Sequence, residues 1–185
     1  MNAREAAETI SDSEYGLHCL LIYSDLSILR EFYSSYIPKQ ILDKEEVVEI
    51  MPFYETENKV REVLSKAHKK IKIDKFENEE KTLIIADSRG KYIGQTNVES
   101  IWNANKEMVT YANELGKNGV SILGDLGSFI SEKRIRELVD YELSLPTRFE
   151  MNLKGVCMYH QKDFDSLPED TRQTILDHHQ TALRI

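Results

Sequence analysis

The sequence predicts an α/β domain: a mostly parallel sheet of about five to six strands with helices on both faces. Short continuous apolar runs recur along the chain, each followed by an amphipathic segment. Unbroken apolar runs, as opposed to alternating ones, suit strands covered on both faces. The β-α-β-α order places a helix in most connections, which calls for parallel pairing. The chain has 185 residues and no internal repeat, low-complexity tract or Gly/Ser linker, so one domain is expected.

Residues 1–14 are polar and acidic and read as a flexible tail that ends in a short helical turn at most, with the domain spanning 15–185. Leu17 to Tyr23 is the first strand. Ser24 and Asp25 are the candidate caps of the helix after it, which turns Leu29, Phe32, Tyr33, Tyr36 and Ile37 inward. Pro38 should end or kink that helix. Val47 to Met51 reads as the second strand, and Glu55 to His68 as a helix burying Val60, Val63, Leu64 and Ala67. The lysine-rich stretch Lys66 to Lys75 reads as a solvated helix end followed by a Lys-protected edge strand.

Thr82 to Asp87 is the third strand, stopped by a turn at Ser88-Arg89-Gly90. The strongest helical stripe runs from Asn97 to Gly116, with Val98, Ile101, Trp102, Asn105, Met108, Val109, Ala112 and Leu115 on one side and Gly116 as C-cap. Val120 to Gly124 is the fourth strand. Ser131 should cap a helix burying Ile135, Leu138 and Val139. Gly155 to Tyr159 is the fifth strand, Pro168 to His179 a helix with Pro in its first turn, and Ala182 to Ile185 a last short strand.

A formal charge of −8 argues against a general nucleic-acid binder, whose affinity would come from clustered Lys and Arg. No run approaches the ~18 apolar residues of a membrane span, and the N-terminus has no apolar signal core. Two cysteines without a signal imply free thiols in a reducing compartment, hence a soluble, cytoplasmic expectation.

In an open parallel sheet, ligands bind beyond the carboxyl ends of the strands. The candidate ligand-binding residues there are Tyr23, Ser24, Asp87, Arg89, Asp125, Tyr159 and His160. A Walker-type phosphate loop is excluded, because the connection after the first strand is Tyr23-Ser24-Asp25-Leu26-Ser27, without glycine or lysine. No nucleophile, base and oxyanion set can be assembled from the spacing, so no catalytic residue is assigned. His18 and Cys19 point to opposite faces of the first strand, while Cys157 and Tyr159 share one face of the fifth. If those strands adjoin, either the two cysteines approach or His18 reaches Cys157. No close metal-ligand spacing such as C-x₂-C occurs. His18, Cys157, His178 and His179 could gather only across the fold, so neither a metal nor a cofactor is expected.

Several segments together resemble the MEDS domain, the sensory domain named for methanogens, methylotrophs and the dichloromethane regulator. They are Gly16-Leu17-His18-Cys19-Leu20-Leu21-Ile22-Tyr23, Tyr92-Ile93-Gly94 before the long helix, Leu123-Gly124-Asp125, Tyr141-Glu142-Leu143-Ser144-Leu145, and Val156-Cys157-Met158-Tyr159 with Phe164 and a closing helix ending in His179. The likeness spans residues 15–185. It implies a RecA/KaiC-like domain without its nucleotide loop, and a role in sensing small hydrocarbon-derived molecules. The family's signature positions fall on His18, Tyr23, Asp125, Glu142, Cys157, Tyr159 and His179. Three places depart from the family pattern: Pro38-Lys39-Gln40-Ile41-Leu42 entering the second strand, Phe129 after Asp125, and His179-Gln180.

The resemblance makes the leading expectation a non-catalytic cytoplasmic sensory module. It would bind a small molecule and signal to a kinase or transcription regulator in trans, or through a homo-oligomer interface, without membrane or direct nucleic-acid contact. The alternatives are a residual nucleotide-binding, KaiC-like regulatory subunit, or a thiol or metal sensor using Cys19, Cys157 and nearby histidines.

Overall fold

A computed structural model describes residues 1–94 and 98–185. Its six strands are β1 (His18–Tyr23), β2 (Glu46–Met51), β3 (Leu83–Ile85), β4 (Gly119–Asp125), β5 (Leu153–His160) and β6 (Thr181–Arg184). They form one sheet in the order β3-β2-β4-β5-β1-β6, and every pair is parallel. The apolar runs are therefore strands covered on two sides. Cys19, Leu21, Tyr23, Val48, Ile50, Leu123, Val156 and Met158 face one core. Leu20, Ile22, Val47, Met51, Val120, Ile122, Cys157 and Tyr159 face the other.

The first core is roofed by α1 (Ala3–Asp12), α2 (Leu26–Leu42) and α3 (Glu57–Ser65). Residues 1–14 are thus not a loose tail. Asn2 and Glu5 make a reciprocal capping box, and Ala3, Ala6, Ala7 and Ile10 form a small-residue face that packs against α2. The acidic, polar composition hid this face because alanine carries little hydrophobic signal. Asp25 caps α2 by accepting from the Ser27 and Ile28 amides. Pro38 does not end that helix, which continues four residues past it and buries the ring. The expected strand around Ile71–Ile73 is absent: Ile71 is buried outside the sheet, and a single π-helical turn follows at Lys75–Glu79. The free edges of the sheet are the short β3 and the half-exposed β6.

The second core is covered by α4 (Ser88–Tyr92), α5 (Val98–Glu114), α6 (Gly127–Ser131), α7 (Ile135–Ser144), α8 (Gln161–Ser166) and α9 (Glu169–His178). The expected start of the long helix at Asn97, and the side chain of Val98, lie outside the described residues. Its end is as the sequence predicts: Gly116 takes φ +67° and the Lys117 amide returns to the Ala112 carbonyl at 2.9 Å. Ser131 closes α6 and does not cap α7, and the Ser88 turn is a short helix capped by Asp87. Helix α8, set between β5 and α9, is an element that the sequence reading lacked.

Gly124 permits a close approach that positions this layer. A Cβ there would fall 1.9 Å from the Tyr92 hydroxyl oxygen, in a buried contact between β4 and α4. Gly124→Ala should cost about 1–3 kcal/mol through forced displacement of the Tyr92 ring, measured by urea unfolding.

Candidate functional site

The residues expected at the carboxyl ends of the strands divide between two places. Tyr23 and Asp125 meet there: the phenol donates to Asp125 Oδ2 at 2.7 Å, and the Gly127 amide donates to Oδ1 at 3.0 Å. Ser88 Oγ donates to the Asp125 carbonyl at 2.6 Å. His160 lies edge-on to Tyr23 and beside Tyr54, with its Nδ1 accepting from the Lys162 amide. Asp87 is spent on capping α4 at the Gly90 amide, Arg89 lies over the Phe53 ring, and the Ser24 amide binds the Ile185 carbonyl. Phe53 and Tyr54 pack edge to face beside the crevice, and Tyr54 is tied to Asp163. The buried polar side chains of this end are all partnered.

Tyr159 is not in that crevice. Strand alternation turns it to the opposite face, where its hydroxyl donates to Glu142 Oε1 at 2.5 Å. There the four remaining signature residues converge. The β1–β5 register sets His18 opposite Gly155 and Leu20 opposite Cys157, so His18 and Cys157 share a face two residues apart. The glycine is needed: a Cβ at Gly155 would come within 2.8 Å of Phe149 Cε2, and the Phe149 ring lies against His18. His18 Nε2 is 3.5 Å from Cys157 Sγ and 3.9 Å from Glu142 Oε2. His179, at the end of α9, places Nε2 3.5 Å from the same Glu142 oxygen. One donor atom from each of His18, Glu142, Cys157 and His179 lies within 4.8 Å of the other three. Cys19 lies on the other face, so the two thiols do not meet and His18 is the residue that reaches Cys157.

The side chains of His18, Glu142 and His179 are fully shielded from solvent. Among the described residues, four buried side-chain N or O atoms lack a hydrogen-bond partner, and three belong to this cluster: His18 Nδ1, Glu142 Oε2 and His179 Nε2. Buried polar groups are ordinarily paired, and each orphan costs about 1–3 kcal/mol. The tautomer of His179 is set by Nδ1, which lies 2.7 Å from the Ile175 carbonyl and must donate to it, leaving Nε2 with a free lone pair. Burial, then the neighbouring His179 and His178, push the His18 imidazolium down to about 2, so the ring is neutral. The Pro146 backbone near the ring opposes that shift, although no well-formed hydrogen bond to Nδ1 results. Burial, followed by the Glu142 carboxylate, pushes the Cys157 thiol well up.

A cavity of about 20 Å³ adjoins His18 and Cys157, walled by Tyr92, Tyr141, Leu145 and Phe149. Trp102, the single tryptophan, stacks on Phe149 with ring centroids 5.6 Å apart, next to the cluster. The sequence brings His18, Cys157 and His179 together only as a possible gathering across the fold with His178, and leaves Glu142 apart from them. Glu142 sits in the last turn of α7, between Tyr141 and Leu143, and only its hydrogen bond from Tyr159 of β5 shows that it faces inward. Phe149 and the aromatic cavity wall had no signal beyond their apolar character.

Residues 17–180 match the family model described as MEDS, the MEthanogen/methylotroph, DcmR Sensory domain. No curated protein matches the chain.

Proposed function

The chain belongs to the MEDS family of sensory domains, and from that premise we propose that it is a non-catalytic sensing module whose effector site is the cavity beside His18 and Cys157. The supporting observation is that His18, which lines that cavity with Cys157, has an unpartnered buried Nδ1 and adjoins two more unpartnered buried atoms, Glu142 Oε2 and His179 Nε2, just outside the lining. The crevice at the strand ends lacks such a feature, its buried polar groups being paired. A volume of about 20 Å³ admits one water-sized group, and the walls are mainly aromatic and aliphatic. The fitting effector class is a weakly polar molecule of very few heavy atoms, in keeping with a hydrocarbon-derived signal. A larger member of that class would displace Phe149 or Leu145.

Cys157 acts here as a recognition group and not as a nucleophile, because burial, followed by the Glu142 carboxylate, favours the neutral thiol wherever no metal ion is bound. The output is a shift of α7 and α9, which supply Glu142 and His179, read by a partner protein in trans. No helix among the described residues is long and apolar enough to cross a membrane.

Trp102 provides the test through its stacking on Phe149. Methanol and dichloromethane should be titrated while Trp102 emission and Tm are followed. At least one compound should give a saturable change that Gly155→Ala abolishes, because the added methyl drives Phe149 into the cavity. A flat response to the whole panel removes the reading.

A further inference from the structure

We propose that His18 Nε2, His179 Nε2, Cys157 Sγ and Glu142 Oε2 form a binding site for one divalent transition-metal ion of the zinc class. The inference deepens the sensing reading, on which it rests only for the importance of this cluster.

Four arguments support it. The donor set is the first: two imidazoles, a thiol and a carboxylate are the side chains that zinc accepts in four-coordinate sites. Geometry is the second. Metal–ligand bonds of about 2.0–2.3 Å in a tetrahedron place neighbouring donor atoms roughly 3.3–3.8 Å apart. Three of the cluster's six edges are 3.5, 3.9 and 3.5 Å and none exceeds 4.8 Å, so an inward movement of the side chains would close it. Outer contacts are the third. His179 directs Nδ1–H to a backbone carbonyl, and Tyr159 donates to the second oxygen of Glu142, the two supports that commonly orient metal ligands.

Charge is the fourth. Among the described residues Glu142 has only the two histidines as ion-pair partners, and no lysine or arginine reaches it. A dication with one carboxylate and one thiolate is neutral overall, which removes the cost of a buried lone carboxylate. The ion would also take up the orphaned Glu142 Oε2 and His179 Nε2. His18 Nδ1 would remain as the N–H of the ring.

Because the site is buried, loading should accompany folding. The full chain would be unfolded with chelator and reductant, then refolded with Co²⁺ as a spectroscopic stand-in. One Co²⁺ per chain is expected, with thiolate-to-cobalt charge-transfer absorption that Zn²⁺ displaces. Cys157→Ser should abolish that absorption, while Cys19→Ala, on the opposite face of the sheet, should retain it. Tyr159→Phe keeps the ring and should weaken Co²⁺ binding about 10–100-fold.

Absence of metal from both the isolated and the refolded protein overturns the proposal. So does an absorption that survives Cys157→Ser or is lost in Cys19→Ala. If Cys157→Ser does not refold, unchanged affinity in Tyr159→Phe overturns it instead. A metal-free protein whose Trp102 still answers the effector panel removes the metal and leaves the sensing reading. Metal uptake with a flat Trp102 response removes the sensing reading and leaves the metal.

Discussion

Lys154→Met should lower the unfolding free energy by about 3–5 kcal/mol at neutral pH, among the largest effects available to a single substitution in this chain. Lys154 sits in β5 with its ammonium 3.2 Å from Glu46 Oε1, and both side chains are almost wholly buried. The same ammonium donates to the Ser11 carbonyl at 2.8 Å at the end of α1. Ser121 Oγ donates to Glu46 Oε2 at 2.5 Å, and Ser121 in turn contacts the Tyr36 hydroxyl from α2. With its amide nitrogen turned toward Glu46, Gln40 donates to that carboxylate at 3.0 Å and accepts from Ser11 Oγ at 2.6 Å. Methionine fills the volume but leaves a carboxylate buried without its cation, and it frees the Ser11 carbonyl at the end of α1. The double variant Glu46→Gln with Lys154→Met should recover most of the loss, since the pair's net worth is small once neither charge remains. Urea unfolding of the three proteins decides it. A loss below about 1 kcal/mol in Lys154→Met would mean that water reaches Glu46.

That network shows where sequence reading reached its limit. The strand runs were legible because apolar continuity is a local property, and the parallel pairing followed from the helices between them. The strand order was not, because it depends on which strands share register across helices, as β1 and β5 do. Helix α1 was missed because its buried face is alanine, and its anchor is the Lys154–Glu46–Gln40 group, whose members are scattered over more than a hundred residues. The site behaved in the same way. Alternation along β5 put Cys157 and Tyr159 on one face, and proximity of His18 to Cys157 was an open alternative that the register selects. Tyr159 was nonetheless grouped with the crevice because it lies near a strand end. Glu142 and His179 could be placed with His18 only once α7 and α9 were docked on the sheet.

The two ends of β1 have opposite electrostatic characters. Near His18 the buried polar atoms are unpartnered, which suits an incoming ligand. Near Tyr23 they are paired, which suits a structural joint. The joint carries a carboxylate whose protonation state matters. Asp125 is fully buried, and burial pushes its carboxyl from 3.8 up to about 7, against the opposing hydrogen bonds from Tyr23 and Gly127.

Between about pH 4 and 7 the folded chain therefore holds a proton at Asp125 that the unfolded chain has released. More protons bound in the folded state means that stability falls as pH rises through that window. The slope approaches that of one proton, ~1.4 kcal/mol per pH unit, so the loss across the window is about 4 kcal/mol at most. Below pH 4 both states are protonated and above 7 both are ionised, so the contribution is flat at either end. Asp125→Asn keeps the shape, still accepts from the Gly127 amide, and turns its amide donor to the Tyr23 hydroxyl oxygen. The variant should match the parent near pH 4 and exceed it increasingly up to pH 7, with a constant gap beyond. Taking the difference between the two urea profiles cancels the titration of every other carboxylate. Parallel profiles from pH 4 to 8 would show that the Tyr23 and Gly127 hydrogen bonds hold Asp125 ionised throughout, and that the joint at the strand ends is insensitive to pH.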